Sequence, residues 1–389
     1  MIKSWQRVAI GKMCKFKYGQ MPKKNQLFDK GYPVFSGYRV VGYSNTYHYK
    51  EPTIIVVARG VGGAGDVKMS PPECFLTNLS IAIQITSPYV NQLFLFYRLS
   101  GTGLWDLRTG SAQAQITIDR LNRYEIDLPP LPTQRKIAAI LSAYDDLIEN
   151  NLRRIKILEE MAQNLYREWF VKFRFPGYEK VKFVDSPLGM IPEKWEVTTL
   201  GDYCSLTMGQ SPKSEYYNDV GNGLPFHQGV SDFGYWHPSD RLYCSVDNRI
   251  AEANDILFSV RAPVGRMNFT NKKIIIGRGL SAIRAKNSAQ SFLWEQLHHK
   301  FTKVDMIGNG AIFASVTKND MQRITILSPT DSVLEKVSQY LVPLHNQISC
   351  LVRKNDSIRN QRDHLLPKLI SGKVDVSDLD IEVPEEVIE

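Results

Sequence analysis

Residues 5–23, WQRVAIGKMCKFKYGQMPK, return as residues 195–213, WEVTTLGDYCSLTMGQSPK. Trp5, Gly11, Cys14, Gly19-Gln20 and Pro22-Lys23 meet Trp195, Gly201, Cys204, Gly209-Gln210 and Pro212-Lys213 in the same order and spacing. A period this long lies far outside the stacked repeats of solenoids, so it signals a duplicated domain. The echo runs on: Val57-Ala58-Arg59-Gly60 answers Ser259-Val260-Arg261-Ala262, Leu79-Ser80 answers Leu280-Ser281, and Ile116-Thr117 answers Val316-Thr317. Shifts between matched segments fall where insertions belong in loops.

Each copy is followed by a helical pattern. Ile137, Leu141, Tyr144, Ile148, Ile155, Leu158, Ala162, Leu165 and Trp169 alternate steps of four and three from Gln134 to about Phe173, with Asn151 polar in the series. Leu334, Val337, Leu341, Leu344, Ile348, Leu351, Ile358, Leu365 and Leu369 repeat the pattern, interrupted by Asn355 and Arg362. Apolar spacing of 3.5 residues sustained in this way is a coiled-coil seam. Equivalent seams in a duplicated chain pair most economically with each other, antiparallel about a pseudo-twofold. At 1.5 Å per residue each helix reaches roughly 55–60 Å, the length of a spacer. Pro343 is expected to kink the second helix and Pro367 to disturb its last turn. Phe175-Pro176-Gly177 ends the first helix region.

Between signature and helix the pattern is of short strands: 33–36, 53–58, 80–85 and 124–128, then 255–260, 273–276, 281–285 and 323–327, with helices near 90–99 and 288–301. The expected fold class is α+β: two mixed modules, 1–132 and 176–330, alternating with helices 133–175 and 331–372. Residues 374–389, with seven acids and no base, read as a solvated acidic tail.

Composition sets limits. The chain has 389 residues, 43% of them apolar, enough for ordinary cores in two or three domains. Five cysteines without a CxxC pair argue against a disulfide framework or thiolate zinc site, and Cys14 and Cys204 read as buried apolar residues. No apolar run reaches membrane-spanning length, and a cytoplasmic protein is expected. Formal charge is +8, and residues 1–132 carry 16 Lys and Arg against 8 Asp and Glu. Such a field favours a polyanionic partner.

No chemistry of the chain's own emerges. Gly60 to Gly65 fits G-x-G-x-x-G, but Pro71-Pro72 prevents the helix a dinucleotide site requires, so a turn between strands is expected. His298-His299 lacks companions at ligand spacing and reads as a surface pair. The polar loop residues instead suit DNA. Gln20, Lys23, Lys24, Arg39, Tyr43, Arg59, Arg108, Gln113 and Gln115 mark the first module, and Gln210, Lys213, His227, Gln228, Arg261, Arg266, Arg278 and Asn309 the second. Arg and Lys can bond guanine, Gln and Asn adenine, and spare cations phosphate.

The run 128–138, LPPLPTQRKIA, leading to 165–171, LYREWFV, together with 188–192, LGMIP, and 365–372, LLPKLISG, resembles the specificity subunits of type I restriction-modification enzymes. The resemblance covers nearly the whole chain. It implies a non-catalytic subunit in which two target-recognition domains each read half of a split, gapped sequence in double-stranded DNA, and paired helices set the gap. It also implies docking of modification subunits, which bind S-adenosylmethionine, and restriction subunits, which use ATP and magnesium; no cofactor is expected on this chain. The turn 110–116, GSAQAQI, is similar to a glutamine-bearing turn of that family, whereas 308–316, GNGAIFASV, lacks both glutamines. Rival readings are a self-contained methyltransferase or nuclease, which needs a site absent from the motifs, and a coiled-coil adaptor that touches only proteins.

Overall fold

The computed structural model describes residues 5–23, 27–60, 63–110, 114–287, 289–306 and 315–388. The chain divides into two compact units, one made of residues 1–149 with 357–389 and the other of residues 150–356.

In the first unit the central sheet orders its strands as Cys14–Tyr18, Ser80–Ile85, Ile54–Val57 and Val67–Met69, every neighbour antiparallel. Ile54, Val56, Ile81 and Ile83 are buried in one cluster with Leu95 and Leu99, while Ile55 and Ala82 face a second cluster with Leu76. Burial on both faces explains why these strands read as unbroken apolar runs instead of alternating ones. The helix Gln92–Thr102 packs beside the sheet; its N-cap Asn91 accepts the Phe94 amide. A separate pair, Gln6–Ala9 with Glu125–Leu128, closes the module by bringing its two ends together.

The second unit repeats this construction. Its central sheet runs Cys204–Met208, Leu280–Ala285, Ile256–Ser259 and Met267–Phe269, and Glu196–Thr199 pairs with Thr325–Ser328. Backbone bonds outside the sheets recur too. The Ile10 amide donates to Tyr124 as Leu200 does to Ile324, Gly19 to Ser80 as Gly209 to Leu280, and Ala58 to Leu79 as Val260 to Gly279. Gly19 and Gly209 tolerate no side chain, since a Cβ would stand 2.2 Å from Thr77 O and 2.1 Å from Gly277 O. The duplication read from sequence is thus a duplicated hydrogen-bond skeleton.

The long helices run Leu131–Tyr166 and Asp331–Ile370. The second begins at the expected residue, and the first begins two residues earlier than residue 133; Pro132 sits in a first turn where the missing N–H has no partner to lose. The first helix gives way at Arg167–Val171 to a wider π-helical turn that buries both Trp169 and Phe170. Neither Pro343 nor Pro367 interrupts the second helix, contrary to expectation. Pro343 and Gln339, whose carbonyl it leaves free, are both exposed, so water can satisfy that carbonyl.

Each unit holds part of both helices, and within each the parts run antiparallel. In the second, Asn151 meets Asn355 and Trp169 meets Tyr340. Ile155, Ala162, Leu334, Val337, Leu341, Ile348 and Leu351 are buried in its main cluster, with Leu158, Leu165 and Leu344 packed against it. The Asn151 Nδ2 donates to Asn355 Oδ1 at 2.8 Å with both residues buried, so the two polar seam positions satisfy one another. Such a pair fixes register at a cost in stability. In the first unit Ile137 and Leu141 are buried with Leu369, and Leu365 packs against them. Ile148 and Ile358 are buried and Tyr144 is half-buried. Here the polar seam residue Arg362 pairs with Asp145, which also accepts the Tyr97 hydroxyl at 2.7 Å.

The acidic tail is not solvated throughout. Val376 and Val387 are buried in the first unit, with Val374, Ile381 and Val383 packed nearby. Lys136 Nζ donates to the Ser377 and Leu379 carbonyls at 2.7 Å, and Glu385–Ile388 forms a helical turn. Spaced valines and isoleucines among the acids provide the apolar face that net charge conceals. The histidine pair is also corrected: His298 and His299 are half-buried, and the His299 ring lies 5.5 Å from that of Tyr166. Cys14 and Cys204 are buried as expected, and burial pushes both thiols up to about 12.

Candidate nucleic-acid interface

In the first unit, the strand Ile54–Val57 continues through Ala58 to Arg59. The Ile116 amide donates to Ala58 O at 2.9 Å, and Arg59 bridges Gln115 in antiparallel fashion. Gln115 bridges Thr109 as well, with N–H···O distances of 2.9 and 3.0 Å, so residues 109 and 115 pinch together in a neck. Arg59 is exposed and Gln115 half-buried at that neck. The Tyr38 hydroxyl reaches Arg59 O at 3.4 Å. Burial, reinforced by the Asp66 carboxylate, raises the Tyr38 phenol above its ordinary range, so it stays a neutral donor.

Arg108 is half-buried and its Nε donates to Ala64 O at 2.6 Å, which gives it a structural duty in the turn after Arg59. Gln20 and Arg39 are exposed in turns fixed by backbone bonds, the Gln20 amide to Leu76 O and the Arg39 amide to Ser36 Oγ. Lys23 and Tyr43 are exposed. Lys24 and Gln113 lie outside the described residues.

The second unit gathers its polar residues more tightly. Ser211 Oγ donates to Gln228 Oε1 at 2.8 Å and accepts the Arg278 amide at 3.3 Å. Gln210 donates its amide to Ile276 O at 3.0 Å, and its carbonyl accepts Asn248 Nδ2 at 3.2 Å. Gln210, Gln228 and Arg278 are exposed along this edge. Arg261 joins it because the Val260 amide donates to Gly279 O at 2.9 Å, and Arg261 itself bridges Ser315. Arg59 and Arg261 therefore stand at matching strand ends.

Other candidates are not drawn in. Lys213 stands beside Glu215 at 3.7 Å. Arg266 lines a cavity of about 300 Å³ with Glu159, Tyr235 and Glu295. Asn309 lies outside the described residues. His227 is fully buried and cannot read a groove: its Nε2 is 3.2 Å from Asp240 and its Nδ1 3.7 Å from Asp232. Burial lowers its pKa even against these two acids. It acts as the floor of the edge, since its carbonyl accepts the Gly277 amide at 2.8 Å and the next residue is Gln228.

Tyr38 and Trp105 were missed from sequence. Both are exposed aromatics near Arg59 and Arg108, and their signal was an aromatic beside a basic residue, Tyr38-Arg39 and Trp105 three before Arg108. Among the described residues no group of three or more His, Cys, Asp or Glu is placed to hold a metal, and no helix is long and apolar enough to cross a membrane.

Two copies of one α+β module, each with exposed arginine at a matching strand end and sharing in paired helices, define a protein built by internal duplication. A family model for the type I restriction modification DNA specificity domain matches residues 2–160 and again 192–360, and the chain belongs to that family. It is 34% identical to the MjaX type I restriction enzyme specificity subunit of Methanocaldococcus jannaschii, over 68% of this chain and 62% of that one. It is 22% identical to the MjaVIII specificity subunit of the same organism over 96% of this chain and 94% of that one. The crystal structure of the type I restriction-modification S subunit from M. genitalium shares the fold with a TM-score of 0.66 at 19% identity, covering 94% of this chain and 96% of that chain.

Proposed function

We propose that this chain is the DNA-reading subunit of a type I restriction-modification enzyme, recognising a two-part gapped duplex target and doing no covalent chemistry itself. The observation that carries this reading is the matched placement of Arg59 and Arg261 at equivalent strand ends of two modules of the specificity-domain family. Each unit lies against one half-site. Cations meet phosphate and fix orientation, while Gln115 in one unit and Gln210, Gln228 and Arg278 in the other offer the donors and acceptors that distinguish base pairs. The helices set the separation of the half-sites, so simultaneous binding gains effective concentration only at the permitted gap.

Modification subunits carrying S-adenosylmethionine and restriction subunits using ATP and magnesium supply the reactions. The decisive experiment maps methylated adenines across the host genome with and without this gene. A gapped two-part motif whose methylation disappears on deletion is the expected result; an unchanged methylation pattern refutes the reading. Shortening both helices by one heptad tests the spacing role: the motif halves should stay and the preferred gap should change.

A further inference from the structure

Trp105 is 50% exposed, whereas Trp169, Trp195, Trp236 and Trp294 are all buried. An indole left in water forgoes much of the stabilisation that burial would give it, yet the fold holds this one in place. Its Nε1 donates to Asp66 Oδ1 at 3.1 Å. Gly103, at φ +65°, lies so close that a Cβ there would stand 2.6 Å from the ring, and Gly65, at φ +97°, leaves 3.1 Å to Cδ1. Two left-handed glycines and a carboxylate thus form a seat for one exposed ring.

The same turn supports a second aromatic. A Cβ at Gly63 would meet the Tyr38 ring at 2.4 Å, so residues 63–65 touch Tyr38 on one side and Trp105 on the other. Cations surround them: Lys68 Nζ stands 5.3 Å from the Tyr38 ring centre, and Arg108 is tied to Ala64 within the turn. In the second unit the matching Gly265 packs against Phe301, and Arg266 stands where the first unit has Asp66. The seat belongs to the first unit.

We propose that Trp105, with Tyr38 beside it, contacts bases of duplex DNA in the half-site read by the first unit. This rests on the DNA-reading function above and adds its chemistry: apolar contact from fixed aromatic rings in the same half that Gln115 reads. Fixed aromatic rings set among cations suit a polyanion whose grooves display thymine methyl groups and whose base steps an apolar side chain can wedge, and the 16 to 8 excess of basic residues over 1–132 points the same way.

The test selects duplexes from a random-sequence pool with the full chain, as wild type, Trp105→Ala and Trp105→Phe. Wild type should enrich a two-part motif. Trp105→Ala should lose base preference in one half only, keep the other half and the gap, and bind the wild-type motif about tenfold more weakly, the scale of one lost base contact in a duplex groove. Trp105→Phe should restore most of that affinity. Acrylamide quenching of wild-type tryptophan fluorescence should fall when the selected duplex is added, and that fall should be absent in Trp105→Phe.

The proposal is overturned if Trp105→Ala enriches both halves with undiminished preference. It is also overturned if Trp105→Ala binds the selected duplex as wild type does but no longer assembles with the modification subunit, which would make the ring a protein contact. Wild type that enriches no motif defeats the DNA-reading function itself, a separable failure.

Discussion

The two units share a backbone and differ in what they hang on it. Matched bonds from residues 58 to 79 and from 260 to 279 hold Arg59 and Arg261 at equivalent strand ends. Arg59 shares its strand end with Tyr38 and Gln115, and the turn that follows holds Asp66, which seats an indole; the second unit gathers Arg278, Gln210 and Gln228 around Ser211 and over a buried histidine. The difference teaches that the skeleton supplies fixed positions for whatever side chains the loops bring.

The seams differ in the same way. The second unit locks its helices with a buried amide pair, Asn151 to Asn355, and the first with a partly exposed ion pair, Arg362 to Asp145.

The largest expected effect separates the units by their completeness. Removing residues 374–388 exposes the sites filled by Val376 and Val387, and at about 1.5–3 kcal/mol per fully buried side chain the first unit should lose several kcal/mol. Hydrogen exchange should quicken across residues 81–99 and 131–145 while protection across residues 256–352 holds. Equal loss in both units would dissolve the distinction.

Asn151→Leu should cost the second unit about 1–3 kcal/mol, because buried Asn355 loses the hydrogen bond from Asn151. The double change Asn151→Leu with Asn355→Leu should recover stability while loosening register. Denaturant melts of the three chains provide the check. A single change as harmless as the double would show that the amides do not bond each other.

Arg59→Ala and Arg261→Ala should each weaken binding to duplex DNA, and each should reduce the magnitude of the salt slope by about one. A slope altered by one substitution and not the other would assign phosphate contact to a single unit. High salt should likewise loosen the Arg362 to Asp145 lock in the first unit and leave the Asn151 to Asn355 lock unaffected, with an effect below about 1 kcal/mol because the ion pair is partly exposed.

The smallest effect is in pH. Burial lowers His227 and His237 in the second unit, so the unfolded chain takes up protons more readily than the folded one. Their contribution is present above the ordinary imidazole pKa near 6.5 and is lost as pH falls below it. Melting of the second unit should soften between pH 7 and 5, and His227→Gln should flatten that dependence.

Much of this architecture could be read in advance where chemistry is periodic or repeated. The Trp-Gly-Cys-Gly-Gln signature, the two seams and the runs 54–57, 81–83 and 256–258 are apolar for a reason that spacing exposes. The acidic segment was misread because net charge is summed over residues, whereas packing depends on where Val376, Ile381, Val383 and Val387 fall among the acids. His227 was misread because its partners Asp232 and Asp240 become visible only once the loop folds back. Trp105 was passed over because half of its seat, Gly65 and Asp66, lies some 40 residues away in the chain and meets Gly103 only in the folded turn.

The partition of the chain also bears on biosynthesis. Residues 150–356 are contiguous and can complete their core as soon as they leave the ribosome, whereas the first unit, although translated earliest, must wait for residues 357–388 to supply its remaining helix and apolar wedge. The recognition module made first is finished last, and during that interval its open core is the part of the nascent protein most in need of protection from aggregation.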